Sequence, residues 1–210
     1  MVAKEINKKG ILAKLIGQGV RILLIKECKN ISNIKIDIIS SSSQIIKGEI
    51  QKINIIAEDI NYKDLLFDKI DLETNRLKIN FKLTTKELYF ENDPIIKVKI
   101  SLSQNSLKKV LLSSNWNFIG NIISKKLLNQ DKLEDIKINN GQFIIKVFED
   151  KNTTYKEEQI EVEAFNGRIY LKNKTNNKLF QIPIEEKIYI ENVNIKNDLI
   201  NISANSSVTF

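Results

Sequence analysis

The chain has 210 residues, 42% hydrophobic and 28% charged, with a formal net charge of +7, a globular balance that excludes a disordered chain and a multi-span membrane protein. It holds no histidine and a single cysteine, Cys28, so it builds no Ser-His-Asp or Cys-His site, no two-histidine zinc site and no internal disulfide. Its 38 isoleucines and 25 asparagines against seven glycines and two prolines lean toward β-structure.

Basic charge is concentrated at one end. Residues 1–30 carry a net +5 from Lys4, Lys8, Lys9, Lys14, Arg21, Lys26 and Lys29 against Glu5 and Glu27, whereas residues 131–210 carry −2. Such a pole attracts phosphate, on a nucleic acid or on an anionic headgroup. The first segment is interrupted by Lys14, Gln18 and Arg21, so it is read as neither a signal peptide nor a transmembrane helix, and the expected location is cytoplasmic or peripheral to the cytoplasmic face of a membrane. At helical spacing Ile11, Leu12, Leu15, Ile16, Leu23 and Leu24 fall on one side and Lys14, Gln18, Arg21 and Lys26 on another. The spacing predicts an amphipathic helix within 1–29 that either lies in a membrane interface or docks on its own domain.

From Ile34 onward the period becomes two. Ile34-Ile36-Ile38, Ile53-Ile55-Ala57, Lys69–Glu73, Leu77–Phe81 and Ile96–Leu102 each put apolar side chains on one face and form a first meander over 30–103. Ser40 to Ser43 reads as a polar loop. A helical insertion over 104–129 follows, capped by Ser103 or Ser106 and carrying Leu107, Leu111, Phe118 and Ile122. Seven short strands between Ile136 and Ile202, with a hairpin signal at Asn139-Asn140-Gly141, make a second meander over 130–210. The fold class is α+β in a single domain, with a strongly curved antiparallel sheet or open barrel around the helices.

The scan for chemistry returns no phosphate-cradling glycine loop and no paired cysteine motif. Glu157-Glu158 and Glu185-Glu186 are adjacent acids that strands send to opposite faces. Cys28 beside Glu27 at a helix end reads as an inert thiol. Trp116, the single tryptophan, sits in the polar segment Ser113–Phe118 and serves either the core or a membrane interface. The reading is a protein without enzymatic activity and without cofactor or metal.

Residues 44–129 bear a resemblance. Ile45-Ile46-Lys47-Gly48, Tyr62-Lys63-Asp64-Leu65, Ile70-Asp71-Leu72 and Leu102-Ser103-Gln104-Asn105-Ser106-Leu107 resemble the successive motifs of the LmeA-like phospholipid-binding family, especially its short cyanobacterial-type members. Asp64 and Ser106 depart from that pattern. The resemblance implies a tubular lipid-binding fold, in which a curved sheet wraps a long helix and leaves an apolar groove. The expected partner is then a phospholipid or membrane surface. Ile96, Val98, Ile100, Leu102, Leu107, Leu111 and Phe118 are groove candidates, and Lys8, Lys9, Lys14, Arg21 and Trp116 are membrane-contact candidates. Burying about fourteen methylenes would offset roughly 11 kcal/mol, close to the bilayer's own gain, so such a protein would hold or transfer lipid. The alternative is a β-rich protein–protein interaction module with no lipid ligand; a nucleic-acid binder has only the basic amino-terminal segment in its support.

Overall fold

The computed structural model describes residues 10–82, 87–91, 93–149 and 154–207, with side chains throughout these except at 79–90. Two helices and five strands come first: α1 (Ile11–Glu27), β1 (Asn30–Ile39), α2 (Ser42–Ile46), β2 (Glu49–Tyr62), β3 (Leu65–Lys82), β4 (Glu87–Phe90) and β5 (Ile95–Ser103). Then follow α3 (Gln104–Leu111), α4 (Asn117–Leu128), β6 (Asp135–Asn139), β7 (Gln142–Phe148), β8 (Tyr155–Phe165), β9 (Arg168–Asn173), β10 (Leu179–Gln181), β11 (Ile188–Lys196) and β12 (Leu199–Ser207).

Alternation dictates the strands, and turn chemistry joins them. Lys63-Asp64, Asn140-Gly141, Asn166-Gly167 and Asn197-Asp198 all take positive φ, the two-residue geometry whose twist matches that of antiparallel strands. The predicted strands at 69–73 and 77–81 prove to be one. Arg76 takes φ 55°, and pairing resumes at once with Leu77 opposite Ile50, so the polar interruption is a kink and not an end. The serine run is a loop only at Ser40 and Ser41: the Ser41 hydroxyl accepts from the Gln44 backbone amide and the Gln44 side chain accepts from Ser41 N, a reciprocal cap that starts α2 at Ser42. Ser103, not Ser106, caps α3, and Asp68 of β3 accepts hydrogen bonds from its amide and hydroxyl.

All ladders are antiparallel and fall into two sheets, ordered β1-β2-β3-β5-β12-β11, with β4 on β3, and β10-β9-β8-β7-β6. Register aligns Ile36, Ile55, Leu72, Val98, Ala204 and Ile190 across the six strands of the first sheet. That apolar face is covered at its two ends by different elements. At one end α1 and α2 lie on β1 and β2, burying Ala13, Ile38, Ile50, Ile53 and Leu77. At the other, α3, α4 and the second sheet close the main core, which includes Leu111, Leu127, Ile136, Ile145 and Leu171 against Val193 and Ile200.

The expectation of a strongly curved sheet wrapped around a helix is overturned. Both sheets are separate, flat and open. Closure requires the edge strands to pair with each other, and here β1 is overlaid by α1 while β11 seats the β8–β9 turn, Ile190 N donating to Gly167 O at 3.0 Å. The long helix lies on an end of one sheet, unenclosed. No described helix is long and apolar enough to cross a membrane.

Two local packings make sharp expectations. Gly120 lies where α4 meets α3, and a Cβ there would stand 2.8 Å from Leu111 O and 2.8 Å from Leu133 Cδ2. Gly120→Ala therefore lowers the denaturation midpoint by about 1–3 kcal/mol equivalent despite its better helix propensity; an unchanged midpoint in urea would show that the contact relaxes freely. Glu158 on β8 is buried, accepting from Thr175 Oγ1 at 2.6 Å and pairing with Lys156 Nζ at 2.9 Å. Burial alone would push its carboxyl up, but the Thr175 and Lys156 hydrogen bonds and the Lys156 charge outweigh it and hold the carboxyl below its usual range. The stabilisation is thus present above the ordinary glutamate range and is lost as pH falls through the lowered folded value. Glu158→Gln is expected to cost about 1–3 kcal/mol at neutral pH, with the gap to the parent closing in acid-titrated melts.

Candidate functional site

Helix α1 begins at Gly10 with no side-chain cap and no acidic residue in its first turn, so its stability comes from docking and not from its ends. The docked side is wholly apolar: Ala13 is buried, and Ile16, Gly17, Val20 and Leu24 are half-buried. A Cβ on Gly17 would meet Ile36 and Ile38 at 3.8 and 3.9 Å, ordinary contact distances. A cleft of about 280 Å³ remains beneath the helix, where Ala13, Gly17 and Arg21 face Ile34, Ile36 and Ile38. Arg21 Nη1 reaches Ile34 O at 3.4 Å along this side.

The opposite side of α1 is uncovered. Ile11, Leu15, Ile22 and Ile25 stand on that side and Leu23 flanks docked Ile16, and all five large apolar side chains are 50–78% exposed. The helical wheel drawn from the sequence groups Ile11, Leu15 and Leu23 with the docked residues; the structure turns them outward. Lys14, Gln18, Arg21 and Lys26 are exposed or line the cleft rim, and Cys28 caps the helix carboxyl end half-buried, its thiol pushed up by burial and by Glu27.

The groove candidates are dispersed. Ile96, Val98 and Ile100 are half-buried on the shared face of β5, between the two end covers. Leu102, Leu107 and Leu111 join the main core. They line an apolar cavity of about 170 Å³ with both sheets, and Ile96, Val98, Ile100 and Phe118 do not line it. That volume is below the roughly 300 Å³ at which small-molecule sites begin. Phe118 is 51% exposed and stacks on Trp116 at 6.0 Å. The expected phospholipid-holding groove is therefore not formed, and phospholipid as partner loses its basis: the apolar face is divided among core clusters instead of running as one channel.

Of the membrane-contact candidates, Lys8 and Lys9 lie outside the described residues, and Lys14 and Arg21 flank the α1 stripe. Trp116 is half-buried and tied down, its indole N–H donating to Lys63 O at 3.1 Å. Beside it Asn115 donates to Asp64, which also binds Lys29 at 2.6 Å, so this aromatic clamps the α3–α4 connection to the β2–β3 turn. The paired acids separate as strand geometry requires: Glu157 is exposed against Lys137, while Glu158 points inward. Among the described residues no group of three or more Cys, Asp or Glu is placed to hold a metal ion.

Sequence reasoning missed the outward stripe because an exposed apolar face and a docked one have the same periodicity. Ala13 and Gly17 are small residues on the docked side, but Gly19 is open to solvent, so small residues alone do not mark that side. Gly17→Ala is expected to raise stability by about 1 kcal/mol while leaving the outward face unaltered; a lower melting midpoint would show that α1 already sits as close to β1 as it can.

Compared with protein-family models, with curated proteins and with solved structures, the chain gives no match, so the resemblance to the LmeA-like family finds no support in homology or fold and function rests on the geometry of α1.

Proposed function

We propose that this protein is a non-enzymatic β-rich protein–protein interaction module whose docking surface is the outward face of α1. The observation that carries this reading is the exposed run of Ile11, Leu15, Ile22, Leu23 and Ile25 on a helix whose other side is already docked. Single apolar side chains at a surface need no explanation, but several on adjacent turns of one helix mark an interaction face. Covering the five is worth on the order of 5 kcal/mol gross, enough to hold a partner after ordering costs when the partner is itself preformed. The two sheets serve as a rigid mount, since α1 is held by β1 and by α2 along its inner side.

A photo-crosslinking amino acid placed at Ile22, with the same group at exposed Glu161 of β8 as control, tests this in the source cells. A discrete protein adduct at position 22 that is absent at position 161, and that disappears when Leu15→Lys is added without loss of thermal stability, is the expected result. Equal adducts at both positions, adducts to lipid alone, or none would overturn it.

A further inference from the structure

The outward residues of α1 are spaced as a helix-pairing seam. Ile11, Leu15, Gln18, Ile22 and Ile25 follow one another at intervals of four, three, four and three residues, and all five are exposed. That alternation is the heptad rhythm with which two helices interlock side by side. The residues on its shoulders, which face a paired helix's own shoulders, are exposed Lys14 and Arg21 on the flank that borders the cleft over β1, where Arg21 also reaches Ile34 O, and Leu12, Gly19 and Lys26 on the other. Every charge among them is positive, and Glu27, the acidic residue of α1, lies on neither shoulder.

Resting on the reading of α1 as a docking face, we propose that its partner supplies an acidic amphipathic helix, with apolar residues on its own seam and carboxylates at the flanking positions. Shoulder charges decide partner choice in such pairs. A second copy of this chain is disfavoured in either orientation. A parallel pair sets Arg21 of one copy beside Lys26 of the other, and an antiparallel pair sets Lys14 and Arg21 against their own kind. Gln18, the polar position in the seam, fixes register, since only an in-register partner offers it a hydrogen-bonding group. Gly19 leaves the second shoulder open, with nothing within 4 Å of where a side chain would begin.

Two helical peptides of about four heptads, with leucine along the seam and either glutamate or lysine at all flanking positions, are the probes. Their affinities for the full chain are read by fluorescence anisotropy in about 50 mM and about 500 mM salt. The glutamate peptide is expected to bind at least about tenfold more tightly than the lysine peptide in low salt, with the gap shrinking in high salt. The double variant Lys14→Glu and Lys26→Glu, whose side chains are exposed, should reverse the order with an unchanged melting midpoint. Equal affinities, binding by neither peptide, or a symmetric dimer by sedimentation would overturn the acidic-helix partner. If neither peptide binds while position 22 still crosslinks to a protein, only this inference falls; if the crosslink fails as well, the docking reading falls with it.

Discussion

The first sheet presents one uninterrupted apolar face, six strands wide, and the rest of the molecule is arranged around the need to cover it. Cross-strand pairing puts Ile36, Ile55, Leu72, Val98, Ala204 and Ile190 in a row, too broad for one helix about 10 Å across. Two unrelated covers share the task. The second sheet with α3 and α4 forms a deep core over β5, β12 and β11, where Leu127, Ile136 and Ile145 are fully buried. Over β1 and β2 the cover is α1 with the short α2, and the core there is correspondingly small. The middle strands, with Leu72, Val98 and Ile100, stay half-buried between them.

This division also accounts for the failure of the tubular expectation. A tube needs an apolar interior that no other element fills, and here each end of the face is filled by its own cluster. Leu102, Leu107 and Leu111 spend their apolar surface on the second sheet, so they have none to offer a chain-like ligand. The motifs behind the family resemblance are satisfied locally. Ile45-Ile46-Lys47-Gly48 is the end of α2 and a turn in which Gly48 takes φ 76°, and Tyr62-Lys63-Asp64-Leu65 is a two-residue hairpin turn. Any antiparallel meander with short turns reproduces such spacing, which is why it carried no information about a groove.

Much of the fold was nevertheless legible in the residues. Period-two runs located the long strands, β3 in two pieces, because alternate residues turn to one apolar face; Ser103 or Ser106 bracketed the start of α3, and Asn140-Gly141 located a hairpin. What escaped was set by contacts between distant segments. The continuity of β3 through Thr74, Asn75 and Arg76 depends on the ladder with β2, and the role of Trp116 depends on the carbonyl of Lys63. The candidate site escaped for a different reason. Periodicity reports that α1 has apolar positions on more than one side but not which side meets the sheet.

Desolvation chooses that side. The docked stripe of Ala13, Ile16, Gly17, Val20 and Leu24 contains no charge and no polar side chain, so it enters the protein at no electrostatic cost. Gln18 and Lys26 lie within and beside the stripe of Ile11, Leu15, Ile22 and Ile25. Rotating α1 to bury the outward stripe would carry the Gln18 amide from the cleft rim, and the Lys26 ammonium from water, deeper onto the isoleucine surface of β1, at a cost of several kcal/mol where the lost hydration is not replaced. The helix therefore docks by its wholly apolar stripe and leaves to water the stripe that carries Gln18. The same two polar groups then restrict what can cover the stripe. A cover has to be apolar along its centre and still offer acceptors to Gln18 and Lys26, a combination that the helix's own sheet lacks and that an amphipathic segment with carboxylates along its edge possesses.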